Sequence, residues 1–433
     1  MDSALLSILL IVFLFLLLAT GLWVALTLAL VGVLGIALTS QASPGAVFAT
    51  SVWGASSSWT LTALPLFIWM GEILFRTRLS ADMFAGLAPW LGRLPGRLLH
   101  VNVIGSGIFA AVSGSSLATA ATIGRMSLPE LNKRGYDPYM SIGSLAGSGT
   151  LGLMLPPSII MIVYGVAAEQ SIPKLFIAGV LPGLALVILF SGYIALWALL
   201  NPSKVPPDDL RVSLKTKIVS TLRLMPIISL IVAVIGSIYS GIATATEAAA
   251  VGVLGSLILA ALSGALTWNS LVDSVMSAMK TSCMIALILS CAAFLGLAMD
   301  YSGVPRLLAE WITGMNLSPM QLIACLTILF IILGCFIDGI SIVVIVSSII
   351  LPAIKLAGVD LIWFGIYLVL VVEMSLITPP VGMNLFLLQG MTGKSLAFVS
   401  RAALPFFLLL VLAVAMLWYV PGIATWLPSK MMS

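Results

Sequence analysis

The chain has 433 residues, 61% of them hydrophobic and 8% charged, with a formal net charge of +4 and a mean hydropathy of +1.21. That composition excludes a water-soluble domain and describes a polytopic membrane protein, so its basic residues bear on topology and not on nucleic acid. About 20 apolar residues cross the hydrocarbon core, which allows about ten to twelve spans; they must be helical, because lipid tolerates no unpaired backbone and the apolar runs lack the alternation of a barrel.

In chain order, 1–60 reads as N-terminal scaffold helices. Leu5 to Leu18 and Leu22 to Leu38 are two retained spans with a turn near Ala19, Thr20 and Gly21, since neither a basic leading segment nor a cleavage pattern is present. A first unit covers 61–200. Within it "NVIGSGIFAAVSGSSLATAATIGRM" (102–126) is too short and too interrupted for two spans. With both ends at the cytoplasmic face it must enter and return, which predicts a re-entrant hairpin over about 100–132 with Ser113, Gly114, Ser115 and Ser116 at its tip. The next segment, about 138–166, carries "GSGTLGLMLPPS" (147–158). Proline removes an amide donor and glycine permits a turn, so this reads as a broken helix.

The polar stretch "NPSKVPPDDLRVSLKTK" (201–217) opens a linker, 201–223, whose basic residues place it in the cytoplasm. Counting spans from there puts Arg76, Arg78, Arg93, Arg97, Lys133, Arg134, Lys280, Lys394 and Arg401 inside, and Lys174, Arg306, Lys355 and Lys430 outside. Further scaffold helices occupy 224–270, and a second unit covers 271–427.

The second unit echoes the first. An offset of 223 pairs Leu128 with Leu351, Pro129 with Pro352, Gly135 with Gly358, Asp137 with Asp360, Pro156-Pro157 with Pro379-Pro380 and Leu181-Pro182 with Leu404-Pro405. "NKRGYD" falls inside and its partner "KLAGVD" outside, so the expected repeats are inverted. The second hairpin, about 319–356, contains "LIACLTILFIILGCFIDGISIVVIVSSIIL" (322–351) with Asp338, Gly339 and Ser341 near its tip. The second broken helix, about 361–391, contains "EMSLITPPVGMN" (373–384).

Each half thus offers hydroxyls or a carboxylate at a tip, facing carbonyls freed by prolines. Hard oxygens suit sodium, and the first tip has no titratable group to carry a proton; helix N-termini beyond the tips favour an anion. Plainer readings stand beside these. Pro-Pro pairs also kink helices, and Ser, Gly or Asp338 at a tip also serve as caps or close contacts. A carboxylate at membrane depth nevertheless reads first as functional, for Asp338 above all and more weakly for Glu247 and Glu373. Arg125 snorkels toward the cytoplasm, and Glu72 and Asp300 mark span ends. Cys283, Cys291, Cys325 and Cys335 lack metal-ligand spacing and read as core. The lone histidine, His100, belongs to no HExxH pattern, and neither a GxSxG elbow nor a P-loop occurs, so neither an enzyme nor an ATP motor is expected.

"SGSSLATAATIG", "LNKRGYDP", "GSGTLGLMLPPSIIMIVYG", "LFIAGVLPG", "TATEAAAVG" and "ITPPVGMNLF" resemble the large membrane subunit of the tripartite ATP-independent periplasmic (TRAP) transporters over roughly 60 to 420. The resemblance implies a sodium-driven importer of organic anions in a bacterial inner membrane, working as an elevator. It also implies two partners, a soluble periplasmic binding protein and a small four-helix membrane subunit. Carried over by motif, one sodium site comprises Ser113, Ser115, Ser116, Gly149, Met154 and Pro156, and the other Asp338, Gly339, Thr378 and Pro379. Substrate is expected between them, near Ser116, Ser341, Pro157 and Pro380. No cofactor is implied beyond sodium as coupling ion. Dicarboxylates and sialic acids are the implied substrates, with the sialic acid branch nearest in character. The rival expectation is a stand-alone divalent-anion/sodium symporter that needs no binding protein.

Overall fold

This computed structural model describes residues 3–77, 79–206, 214–314, 319–334, 336–380 and 382–431. The expectations for Arg78, Cys335 and the linker stretch 207–213 lie outside the described residues. In chain order the helices are α1 (Ser3–Ala19), α2 (Val24–Thr39), α3 (Pro44–Ser56), α4 (Ala63–Phe75), α5 (Leu79–Leu91), α6 (His100–Ser113), α7 (Ser116–Lys133), α8 (Pro138–Met154), α9 (Ile159–Ala167), α10 (Ile172–Leu200) and α11 (Leu214–Leu222). They continue as α12 (Met225–Tyr239), α13 (Ala245–Leu262), α14 (Trp268–Ser302), α15 (Val304–Gly314), α16 (Pro319–Gly334), α17 (Gly339–Ile349), α18 (Leu351–Leu356), α19 (Leu361–Leu376), α20 (Met383–Thr392), α21 (Leu396–Tyr419) and α22 (Gly422–Met431). No strand occurs among the described residues.

By length and composition, α10, α13, α14 and α21 can each cross a membrane. Two bent pairs, α3 with α4 (57°) and α8 with α9 (41°), bring the number among the described residues to six. The number stays below ten because much of the remaining apolar sequence is cut into helices of 10–17 residues. The first such cut comes at Gly21, whose positive φ of 77° turns α1 into α2.

Helices α8 and α19 form the centre. Every residue from Met140 to Met154 is buried, as is every residue from Trp363 to Leu376, so both helices are enclosed on all sides. They begin alike, 223 positions apart. Asp137 Oδ1 accepts from the Met140 amide at 3.0 Å, and Asp360 Oδ1 from the Trp363 amide at 2.8 Å. Around α8 pack α6, α7, α10 and α21; around α19 pack α10, α16 and α21. A polar seam joins α6 to α8: Asn102 Nδ2 donates to Ser141 O (3.0 Å) and Ser144 Oγ (2.9 Å), and Ser106 Oγ donates to Ser148 Oγ (3.3 Å).

Without a solvent-driven hydrophobic effect between helices in lipid, close approach of small residues holds them together. A Cβ on Gly147 would stand 2.6 Å from Phe406 Cβ, and one on Gly143 would collide with the Ala402 carbonyl. These glycines admit α21 to the central helix. Gly143→Ala is therefore expected to force α8 and α21 apart and to destabilise the protein by about 1–3 kcal/mol. A thermal unfolding midpoint in detergent equal to that of the unsubstituted protein would refute the packing argument.

Candidate functional site

The site is built from the two helix breaks and the two tips lying on them. In the first half, α6 ends at Gly114 in the left-handed conformation (φ 59°) and α7 starts under the Ser115 cap, whose hydroxyl accepts from the Ala118 amide at 3.4 Å. Ser113 Oγ and Thr119 Oγ1 share a 2.8 Å hydrogen bond across the turn. The break follows α8: Pro156 and Pro157 supply no amide, so the carbonyls of Gly152 and Leu153 lose their helical donors. The chain resumes as α9 after Ser158, whose hydroxyl accepts from the Met161 amide. Tip and break are in direct contact. The Ile159 amide donates to Gly114 O at 3.3 Å, and a Cβ on Gly152 would stand 2.6 Å from Ser115 O. Ser113, Ser116, Pro156, Pro157 and Ser158 are all buried.

In the second half α16 leads to Asp338, which caps α17. Its Oδ2 accepts from the Ile340 and Ser341 amides, each at 3.1 Å, and its Oδ1 from Ser341 Oγ at 2.5 Å. Asp338 corresponds to Ser115 at the 223 offset, and both are caps. The cap reading of Asp338 is thus realised, with three donors on a carboxylate that can take about four. At the second break the Thr378 hydroxyl donates to Met374 O at 2.7 Å and Gly382 N donates to Thr378 O at 3.0 Å. Both Pro-Pro bonds, 156–157 and 379–380, are cis. The halves differ in exposure: Pro379 and Pro380 are exposed where Pro156 and Pro157 are buried.

Of the first set of expected ligands, the three serines lie together at the tip, which rests on Gly152 and Pro157, two residues outside that set, while Gly149 lies against Ala120 and near Asn384 one turn further on. A Cβ on Gly149 would be 2.7 Å from Ala120 Cβ. Met154 points elsewhere. Its carbonyl would lie 2.8 Å from a Cβ on Gly179, because α10 presents Gly179 and Gly183 to it. In the second set, contact between tip and helix runs through Gly334 against Ser375 and Gly339 against Val372, about a turn before Thr378.

Two cross-links between the halves were not singled out in the sequence. Asn384 Nδ2, in the first turn of α20, donates to Ser116 Oγ at 2.8 Å. Thr150 Oγ1 donates to Gly147 O at 2.8 Å and reaches Glu373 Oε2 at 3.3 Å; Glu373 is fully buried and its Oε1 has no partner among the described residues. Thr150 and Glu373 are 223 positions apart, and that spacing was the available signal. On the other side, a Cβ on Gly339 would lie 3.3 Å from Ile160 Cδ1. These contacts link the N-termini of α20, α7, α9 and α17 in a row; the main-chain ends of α20, α7 and α9 contribute partial positive charge, while the Asp338 carboxylate covers that of α17. Glu247 is spent elsewhere, in a capping box with Thr244 beneath α13, and Glu72 pairs with Arg76 at 3.3 Å.

The sequence pattern of the tripartite ATP-independent periplasmic transporter, DctM component, matches residues 11–423. The chain belongs to that family, as the large membrane subunit of a TRAP transporter. It is 33% identical over 404 residues to the C4-dicarboxylate TRAP transporter large permease protein DctM of Pseudomonas aeruginosa, covering 93% of this chain and 94% of that one. The isethionate TRAP transporter permease DctMQ of Oleidesulfovibrio alaskensis is also 33% identical, over 84% of this chain and 58% of its own length. The sialic acid large permease SiaM of Vibrio cholerae is 28% identical, over 95% and 96%. Those relatives are permeases, not enzymes. The crystal structure of the Alcanivorax borkumensis YdaH transporter shares the fold, with a TM-score of 0.60 at 14% identity over 94% of this chain and 98% of that one.

Gly152→Ala is expected to lift this TRAP subunit's first tip from its break and cost about 1–3 kcal/mol of stability. Gly107→Ala, where a Cβ finds only ordinary contacts at 3.6 Å, should leave the unfolding midpoint in place. Equal midpoints for both variants would show that the tip does not rest on Gly152.

Proposed function

We propose that the protein is a sodium-coupled secondary importer of an organic anion in a bacterial inner membrane, built of two inverted repeats and working by an elevator movement. The observation that carries this reading is the row of contacts linking four helix N-termini, two of them at hairpin tips and two at helix breaks. The dipoles of α7, α9 and α20 attract an anion, while proline-freed carbonyls and tip oxygens, Asp338 among them, provide hard ligands for sodium. The Thr150–Glu373 hydrogen bond supports the repeats, since two equivalent positions touch each other only near the axis that relates their halves.

In this reading the first sodium lies among Ser113, Ser115, Ser116, Gly149, Pro156 and the neighbouring carbonyls, and the second between Asp338, Gly339, Thr378 and Pro379. The anion sits between, close to Ser116, Ser341, Pro157 and Pro380. Relatives named for C4-dicarboxylates, isethionate and sialic acid suggest a small carboxylate or sulfonate. A small membrane subunit and a periplasmic binding protein complete the machine. The tripartite relatives favour it over a stand-alone symporter.

Reconstituted into liposomes with both partners, the protein should accumulate substrate under an inward sodium gradient and not under a proton gradient alone; equal uptake with protons would sink sodium coupling. Asp338→Asn separates charge from capping, because asparagine also caps. The variant should keep its unfolding midpoint while the sodium concentration for half-maximal uptake rises about tenfold, the effect of about 1.4 kcal/mol. An unchanged sodium dependence would remove Asp338 from the ion site.

A further inference from the structure

Two cavities flank the central helices. One, of about 680 Å³, opens between α7, α8 and α20 beside the turn at Asn132–Pro138. The other, of about 560 Å³, opens between α3, α9, α14 and α17 beside the end of α9. Their linings correspond at the 223 offset: Arg125, Leu128, Pro129, Asn132 and Thr392 of the first match Ser348, Leu351, Pro352, Lys355 and Glu169 of the second. In the inverted-repeat reading, on which this inference rests, they are the cytoplasmic and outer mouths of one pathway.

The mouths differ in charge. In the outer one Lys355 faces Glu169 and Asp300, and Lys355 acts electrostatically on Asp300. The cytoplasmic one is lined by Arg125 and Lys394 with no acidic side chain among its described lining. Arg125 enters no ion pair among the described residues, and its guanidinium is held over the Phe75 ring, 5.9 Å from the centroid, at the end of α4. Its counterpart Ser348 instead donates to Ala292 O of α14 at 3.1 Å. An oriented guanidinium with no internal counter-ion, beside a second cation in an open cavity, is suited to an anionic group with two oxygens side by side.

We propose that the cytoplasmic cavity is an anion-binding vestibule, with Arg125 as its specificity-determining side chain and Lys394 as its second charge. It takes the carboxylate or sulfonate of a small organic anion. The outer cavity, where the carboxylates of Glu169 and Asp300 outnumber Lys355, has no such preference, so the anion meets Arg125 on the cytoplasmic side only.

The test is local to Arg125. Purified protein in detergent without added lipid is treated with phenylglyoxal, and modification of Arg125 is followed by peptide mass spectrometry with Arg401 as reference. Succinate, isethionate and N-acetylneuraminate are the probes, and phosphatidylglycerol is a separate arm. At least one soluble probe should protect Arg125 saturably without protecting Arg401, and Lys394→Gln should weaken that protection about tenfold. Arg125→Lys should keep more uptake than Arg125→Gln, with the unfolding midpoint of each unchanged. Protection by phosphatidylglycerol alone, or by none of the probes, overturns the vestibule. If Arg125 is protected while sodium-driven uptake fails, the proposed transport reading falls and the vestibule stands; if uptake succeeds without protection, the reverse holds.

Discussion

In hydrocarbon every main-chain N–H and C=O needs a partner, and this protein breaks that rule at two places in its centre. Prolines 156 and 157 cancel the donors that Gly152 and Leu153 would have used, and prolines 379 and 380 occupy the equivalent place in the other half. Such a gap is tolerable only under protein cover or where it lines a water-filled cavity. The first break is covered by a hairpin tip whose Gly114 carbonyl accepts from Ile159, and whose approach depends on the missing side chain of Gly152. The remaining carbonyls are then available to something other than an amide.

The same cover concentrates charge. A helix that ends at membrane depth brings its partial charge with it: the N-termini of α7, α9 and α20 contribute a positive field, and the Asp338 carboxylate at α17 sets a negative charge beside it. Asn384 and Ser116 tie two of those termini together, so the field belongs to an assembly and not to either half. The halves are alike in layout and unlike in chemistry. Ser115 caps one tip and Asp338 the other, and the first break is buried where the second is exposed.

Family and fold rest on different observations. Identity of 33% across almost the whole of the Pseudomonas aeruginosa permease carries membership, whereas 14% identity to the YdaH transporter carries only the path of the chain. The family pattern begins at residue 11 and so takes in part of α1 and all of α2, which lie before the stretch of roughly 60 to 420 where the resemblance was read.

Much of this was legible in the sequence because breakers act locally. A pair of prolines ends a helix wherever it is placed, a glycine at 114 permits the turn, and the 223 offset follows from matching such marks along the chain. Asp338 was legible as a polar tip residue with both a cap reading and a ligand reading, and what the packed structure added is that three donors hold its carboxylate. The turning of Met154 toward α10, the bond between Thr150 and Glu373, and the reach of Asn384 to Ser116 were decided by tertiary packing alone. The last two join residues 223 and 268 positions apart, across helices whose facing is set by which small side chains allow close approach. Local periodicity says that a helix has a buried side; only the packed assembly says which partner lies there.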